Sequence, residues 1–178
     1  MHIDLMRDPS TIFPDLTHEL EIKSLRIWYC KYKNLQPIAS LINLEELVVA
    51  GYPGSSFDDF RYLNRLRFLS ILHMPNISDL TSLSFLDNVE SLSLATSPAW
   101  DAAGRCTIVN SLEPISKMKS LVHLELFGVC QADKSLLSLE GCKQLKTARF
   151  SQVSDGDIQD FYRKTGVINQ FNPGSFNS

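Results

Sequence analysis

Apolar residues recur along this chain in the spacing L-x-x-L-x-L. The copies are Ile22, Leu25, Ile27; Leu44, Leu47, Val49; Leu66, Leu69, Ile71; Val89, Leu92, Leu94; Leu121, Leu124, Leu126; and Leu145, Ala148, Phe150. Their middle residues advance in steps of 22, 22, 23, 32 and 24 residues. Within each copy the last two residues are two apart, so they share one face of a short strand. Between copies the apolar positions switch to spacing by three: Leu35, Ile38, Leu41; Phe57, Phe60, Leu63; Leu80, Leu83, Leu86. That spacing predicts a single turn of 3₁₀ or short α-helix that returns the chain over the core. One strand-plus-turn unit cannot close a core alone, so neighbouring units stack and share an apolar interior.

An iterated motif of this kind resembles the leucine-rich repeat family, in particular the short 22-residue class of bacterial internalin-like proteins. The resemblance runs from about Leu16 to Val153. It implies an α/β solenoid with a parallel β-sheet on its concave side and short 3₁₀/α turns on its convex side. One position departs from the family. Where an Asn or Cys usually bonds the turn backbone, this chain has Cys30, Tyr52, Met74, Ser97, Val129 and Val153. Only Cys30 and Ser97 can serve, so the interior polar ladder is largely missing. The expected organisation is a single domain, 1–178: an N-terminal cap over 1–21, six repeats over 22–153, and a C-terminal cap helix and tail over 154–178. Thr17-His18-Glu19-Leu20 after Phe13-Pro14 suggests a helical turn in the first cap. At the other end, Asp155 and Asp157 precede Ile158 and Phe161, with Lys164 and Gly166 behind, the pattern of one amphipathic helix. Residues 167–171 read as a further strand.

Residues that alternate with the core positions point out onto the concave sheet. Several are large and apolar where folding does not require it: Trp28, Phe68, Leu72 and Phe127, with Tyr29 beside them. Around them stand Arg26, Glu46, His73, His123, Glu125 and Arg149, and between them lies a floor of small residues that includes Ala50, Ser70, Ser91, Ser93 and Ala95. Aromatic anchors and Arg inside a charged rim fit a protein-binding surface. The plainer alternative is that strand neighbours bury these side chains. Six strands about 4.8 Å apart give a face about 24 Å across, enough for a standard interface.

The 32-residue step places an insertion at 97–111, and insertions in solenoids fall on one side, often the binding side. Trp100 is its candidate contact; the competing expectation is that Trp100, Ile108 and Val109 pack back on the solenoid.

Charge and chemistry narrow the picture further. Net charge is −3, with no basic cluster, which argues against a nucleic-acid partner. No apolar run suits an export signal or a membrane span, so the cytosol is the expected compartment. Cys30, Cys106, Cys130 and Cys142 form no C-x-x-C; Cys30 and Cys142 fall on core positions, and Cys130 follows one. No G-x-S-x-G, H-E-x-x-H, phosphate-binding loop or dinucleotide fingerprint occurs. Asp58-Asp59 and Asp155/Asp157 read as helix starts rather than metal ligands, and His73 and His123 lack an evident third ligand. No cofactor or metal is expected. The expectation is a non-catalytic protein-binding module, monomeric when free: a stand-alone recognition or inhibitory protein, such as a bacterial immunity protein that neutralises a toxin or enzyme. A scaffold or regulatory subunit is the alternative, and an enzyme ranks third.

Overall fold

The computed structural model describes residues 1–16, 18 and 21–173. Strands β1 (His2–Met6), β2 (Ser24–Trp28), β3 (Glu46–Ala50), β4 (Phe68–Leu72) and β5 (Ser91–Ala95) lead the chain. The insertion follows with helix α1 (Pro98–Ala102) and strand β6 (Thr107–Val109), then α2 (Glu113–Ser116), β7 (His123–Phe127) and β8 (Val129–Gln131). Strand β9 (Thr147–Phe150), helix α3 (Asp155–Thr165) and strand β10 (Ile168–Asn169) complete it. Eight strands form one parallel sheet in the order β1-β2-β3-β4-β5-β7-β9-β10, and β6 and β8 pair separately.

The strand register is that of the sequence motif. Leu25, Leu47, Leu69, Leu92, Leu124 and Ala148 stand opposite one another across the sheet, as do Ile27, Val49, Ile71, Leu94, Leu126 and Phe150. All but Phe150 are 2% exposed or less. The spacing by three resolves into one-turn 3₁₀ helices at Gln36–Ser40, Asp58–Phe60, Thr81–Phe85 and Leu137–Gly141. Their bonds repeat: Ile38 N donates to Leu35 O and Leu41 N to Ile38 O, both at 2.9 Å. Helix α2 takes the same place in its repeat and buries Ile115. The two layers enclose one continuous core.

Three expectations need correcting. Residues 1–21 do not merely precede the first strand, because β1 pairs with β2 in full register, Ile3 opposite Leu25 and Leu5 opposite Ile27. Of the helical turn expected there, Thr17, Glu19 and Leu20 lie outside the described residues. Second, Cys30 and Cys142 are only partly buried, while Cys130 is 1% exposed. Cys30 follows a left-handed turn and its thiol donates to Leu5 O at 3.3 Å. It thus does the turn-bonding job, whereas Tyr52, Met74 and Val129 at equivalent positions fill the core. Third, Ser24, Ser91, Ser93 and Ala50, on the outward columns, are buried. Larger neighbours on adjacent strands close over these short side chains.

Strand exits share an unforeseen feature. Arg7, Tyr29, Gly51, His73, Gly128 and Gln152 all adopt φ between 50° and 79°. Each of the first four donates its N–H to the carbonyl of the neighbouring strand end: Trp28, Ala50, Leu72 and Ala95. A left-handed residue there lets the chain turn off the sheet while its N–H stays in the ladder.

At the far end α3 covers the last repeat. Ser154 caps it by accepting from Asp157 N at 3.1 Å, and Gly166, left-handed at φ 73°, ends it. Phe161 is buried against Phe150, ring centroids 5.3 Å apart, and the Tyr162 hydroxyl donates to Ala148 O at 2.8 Å.

Candidate functional site

The concave sheet carries three rows of outward side chains. Nearest the strand starts run His2, Ser24, Glu46, Phe68, Ser91, His123 and Thr147. His2 Nδ1 is 2.7 Å from Ser24 Oγ, which donates to Glu46 Oε2 at 2.7 Å. With the hydroxyl proton given to Glu46, the imidazole is the donor. The serine thus gives its proton to a carboxylate rather than to the imidazole, the reverse of the direction that activates a serine nucleophile. His123 Nδ1 lies 2.7 Å from Thr147 Oγ1. Burial, and next the charge of Lys146, hold its pKa below the ordinary 6.5, so it is neutral at pH 7.

The middle row is Asp4, Arg26, Val48, Ser70, Ser93, Glu125 and Arg149. Arg26 grips Asp4 with two bonds, 2.9 Å and 2.7 Å. At the opposite side Arg149 Nη1 is 3.7 Å from Glu125 Oε2, whose other oxygen accepts from Ser93 Oγ at 2.9 Å. Both pairs keep at least one partner in solvent, so their energetic weight is small. Their effect is to fix direction: each guanidinium is turned over an aromatic ring.

Those rings belong to the exit row, Met6, Trp28, Ala50, Leu72, Ala95 and Phe127. The Arg26 guanidinium is 5.6 Å from the Trp28 ring centre, and that of Arg149 is 5.0 Å from Phe127. Trp28 and Phe127 stand four strand spacings apart, about 19 Å, over the floor of Ala50, Leu72 and Ala95. Both are half-buried, as are Phe68 and Leu72, so each keeps part of its ring or chain in solvent. Tyr29 is 41% exposed and meets Trp28 edge-on at 5.8 Å.

The insertion packs against the strand exits and makes a wall at one edge of this face. Ser97 caps α1 by accepting from Trp100 N, and Trp100 lies edge-on to His73 with ring centroids 5.2 Å apart. Arg105 stacks on Trp100 at 4.2 Å. His73 is thus a turn residue roofed by the insertion rather than a free rim side chain, and its Nδ1 is buried without a partner. Asp101 fastens the wall two repeats on, accepting from Ser151 Oγ at 2.7 Å and Gln152 Nε2 at 3.0 Å. Val109 is buried and Ile108 is 48% exposed.

Sequence reasoning missed Asp4 and Met6, which extend the face by one strand, and Asp101. The alternation of Ile3 and Leu5, one 22-residue step before Leu25 and Ile27, is the signal for β1. Nothing in the sequence marks Asp101. Among the described residues no cluster of three His, Cys, Asp or Glu could hold a metal, and no helix is long and apolar enough to cross a membrane.

This architecture, with its iterated motif, is the leucine-rich repeat solenoid. No protein-family model matches the sequence, and no curated protein matches it. Among solved structures it is similar to internalin F from Listeria monocytogenes, at 15% identity and a TM-score of 0.66. The match covers 94% of this chain and 45% of that one, so the chain spans less than half of that protein's length. It is also similar to internalin C2 from the same organism, at 14% identity and a TM-score of 0.54, over 85% of this chain and 71% of that one.

Proposed function

We propose that this chain is a non-catalytic protein-binding module whose concave sheet docks a single partner. The observation that carries the reading is the pair of Arg-on-aromatic posts, Arg26 on Trp28 and Arg149 on Phe127. They face solvent on a sheet whose core lies on the other side. Solenoids of stacked repeats present extended concave surfaces of this kind to partners, and buried aromatic and Arg anchors dominate interface energetics. Arg26, Trp28, Tyr29, Glu46, Phe68, Leu72, His123, Glu125, Phe127 and Arg149 form the docking face. Trp100 and His73 form its wall. The narrower reading is an inhibitory protein of the cytoplasm, monomeric when free, that blocks a toxin or enzyme as an immunity protein does.

The test is affinity capture from the native host with the wild type and with Trp28→Ala/Phe127→Ala. A partner retained by the wild type should be lost by the variant, a weakening of about 2 kcal/mol or more per anchor, while the variant melts normally. Retention of the same partner by the folded variant would remove the concave face from the reading. Several weakly held partners in place of one would favour a scaffold, and failure of the captured partner to lose toxicity or activity would end the inhibitor reading.

A further inference from the structure

The two ends of the solenoid are finished differently. At one end α3 lies over the last repeat and buries Phe161. At the other, β1 is the outermost strand, and no strand among the described residues pairs with its outer side. Met1 O accepts from Lys23 N and Ser24 N, and Arg7 N donates to Trp28 O. Ile3 and Leu5 fall on the same alternation and bond to β2 as well, so the N–H and C=O groups of His2, Asp4 and Met6 point to the open side. The core row is open there too. Ile3 and Leu5 are only half-buried, whereas Leu25 and Ile27 opposite them are 2% exposed or less, and Met1 and Ile12 beside them are exposed. Natural sheets blunt such an edge with Lys, Pro or a bulge. His2–Met6 has none of these: it runs in full register with β2, and its one carboxylate, Asp4, is held by Arg26.

We propose that this edge pairs with the same edge of a second copy of the chain, the two β1 strands running antiparallel about a two-fold axis at Ile3. In that register His2 of each copy exchanges both backbone bonds with Asp4 of the other, through the groups that point outward. An imidazole then stands beside a carboxylate on the concave side, while on the core side Ile3 meets Ile3 and Met1 meets Leu5. Moving the axis to Asp4 would set two carboxylates directly opposite each other, which is unfavourable. The strand is thus its own complement in charge and in apolar pattern. Because the axis stands perpendicular to the sheet, both concave faces open to the same side and offer two sets of posts to a partner that is itself two-fold. Two such short strands and their side chains bury less than about 1,200 Å², the lower end of stable interfaces. The pair is therefore weak, and at micromolar concentration the chain remains the free monomer of the preceding subsection. The inference goes beyond the docking reading and does not depend on it, since the Trp28 and Phe127 rings take no part in the pairing.

The test is sedimentation velocity of the full chain from about 5 μM to about 1 mM, with amide hydrogen exchange followed by NMR at both limits. The weight-average mass should rise from that of one chain toward that of two. The His2 and Asp4 amides should exchange several-fold more slowly at the upper limit, while the Met6 amide, which lies beyond the paired residues, should not change. Asp4→Pro removes an outward N–H and no bond to β2, so it should fold and stay a single chain throughout. His2→Glu leaves the backbone intact and sets two carboxylates side by side; it should weaken pairing about 10-fold at low salt, so the outcome does not depend on whether Asp4→Pro folds. Trp28→Ala/Phe127→Ala should pair as the wild type does, which separates this surface from the docking face. A single-chain mass at about 1 mM, protection that reaches Met6, pairing that survives folded Asp4→Pro, or pairing lost with Trp28→Ala/Phe127→Ala would overturn the proposal.

Discussion

Between β4 and β5 the chain advances by 23 residues, and between β5 and β7 by 32. The sheet does not register the difference. Leu69 opposes Leu92, and Leu92 opposes Leu124 in the same frame. A slip of one residue would turn the core row out to solvent, so the backbone ladder and the buried leucines hold the register. The extra residues are displaced to the strand exits instead. There the two regions part: the regular repeats leave the sheet through a left-handed residue at Tyr29, Gly51 and His73, whereas β5 leaves through Thr96 into α1. What is invariant in this molecule is the strand, and what varies is the turn that follows it.

The largest expected effect breaks the invariant part. Leu47→Ala and Leu69→Ala should each lower unfolding free energy by about 2 to 5 kcal/mol, because each opens a cavity in a fully buried row. A loss near zero by denaturant titration would contradict the register. Two glycines sharpen the comparison next. Both are left-handed, Gly51 in a regular repeat and Gly128 beside the insertion. A Cβ on Gly51 meets only the Tyr29 ring, at 3.2 Å, so Gly51→Ala should cost about 1 kcal/mol, the penalty of the backbone conformation. A Cβ on Gly128 runs into the Thr96 side chain and comes within 3.2 Å of Asp101 Oδ1. Gly128→Ala should therefore cost about 2 to 4 kcal/mol and loosen α1, read as faster tryptic cleavage after Arg105. Equal losses at the two positions would mean that the wall adds no constraint.

The smallest effect is electrostatic. His123 binds its proton more weakly folded than unfolded, so its contribution to stability is full above about pH 6.5 and declines as pH falls through the window below that value. A modest drop in the unfolding midpoint is expected on going from about pH 7 to about pH 5. His123→Gln should flatten it.

The part of the fold legible in the sequence is the part with a period. The core rows of β2 to β5, β7 and β9 follow from L-x-x-L-x-L, and the convex turns from spacing by three. Strand β1 escaped because only Ile3 and Leu5 of its motif are present. Strands β6 and β8 are three residues each, too short to show any alternation. The left-handed exits are visible in sequence only where glycine fills them. Arg7, Tyr29 and His73 hold the same conformation without a glycine, each with its N–H in a ladder bond, and Gln152 does so with its side chain bonded to Asp101. For that reason His73 reads as a rim contact in the sequence, yet its ring supports Trp100. On the face itself, position was legible and partnership was not: alternation puts Arg26 and Arg149 outward, but their grip on Asp4 and Glu125, which turns them over the rings, depends on strand neighbours 22 and 24 residues away.

The ties made by Asp101 also decide how the molecule would come apart under tension. Ladder bonds join neighbours about one repeat apart, so a chain pulled by its ends should lengthen in steps of one repeat, about 75 Å for 22 extended residues. Asp101 instead bonds Ser151 and Gln152, 50 and 51 residues away. That clasp spans two repeats, and the segment inside it would be shielded from load until the clasp opened. The force trace should then show one long extension of about 170 Å among the short ones, a mechanical fuse set in an otherwise even spring.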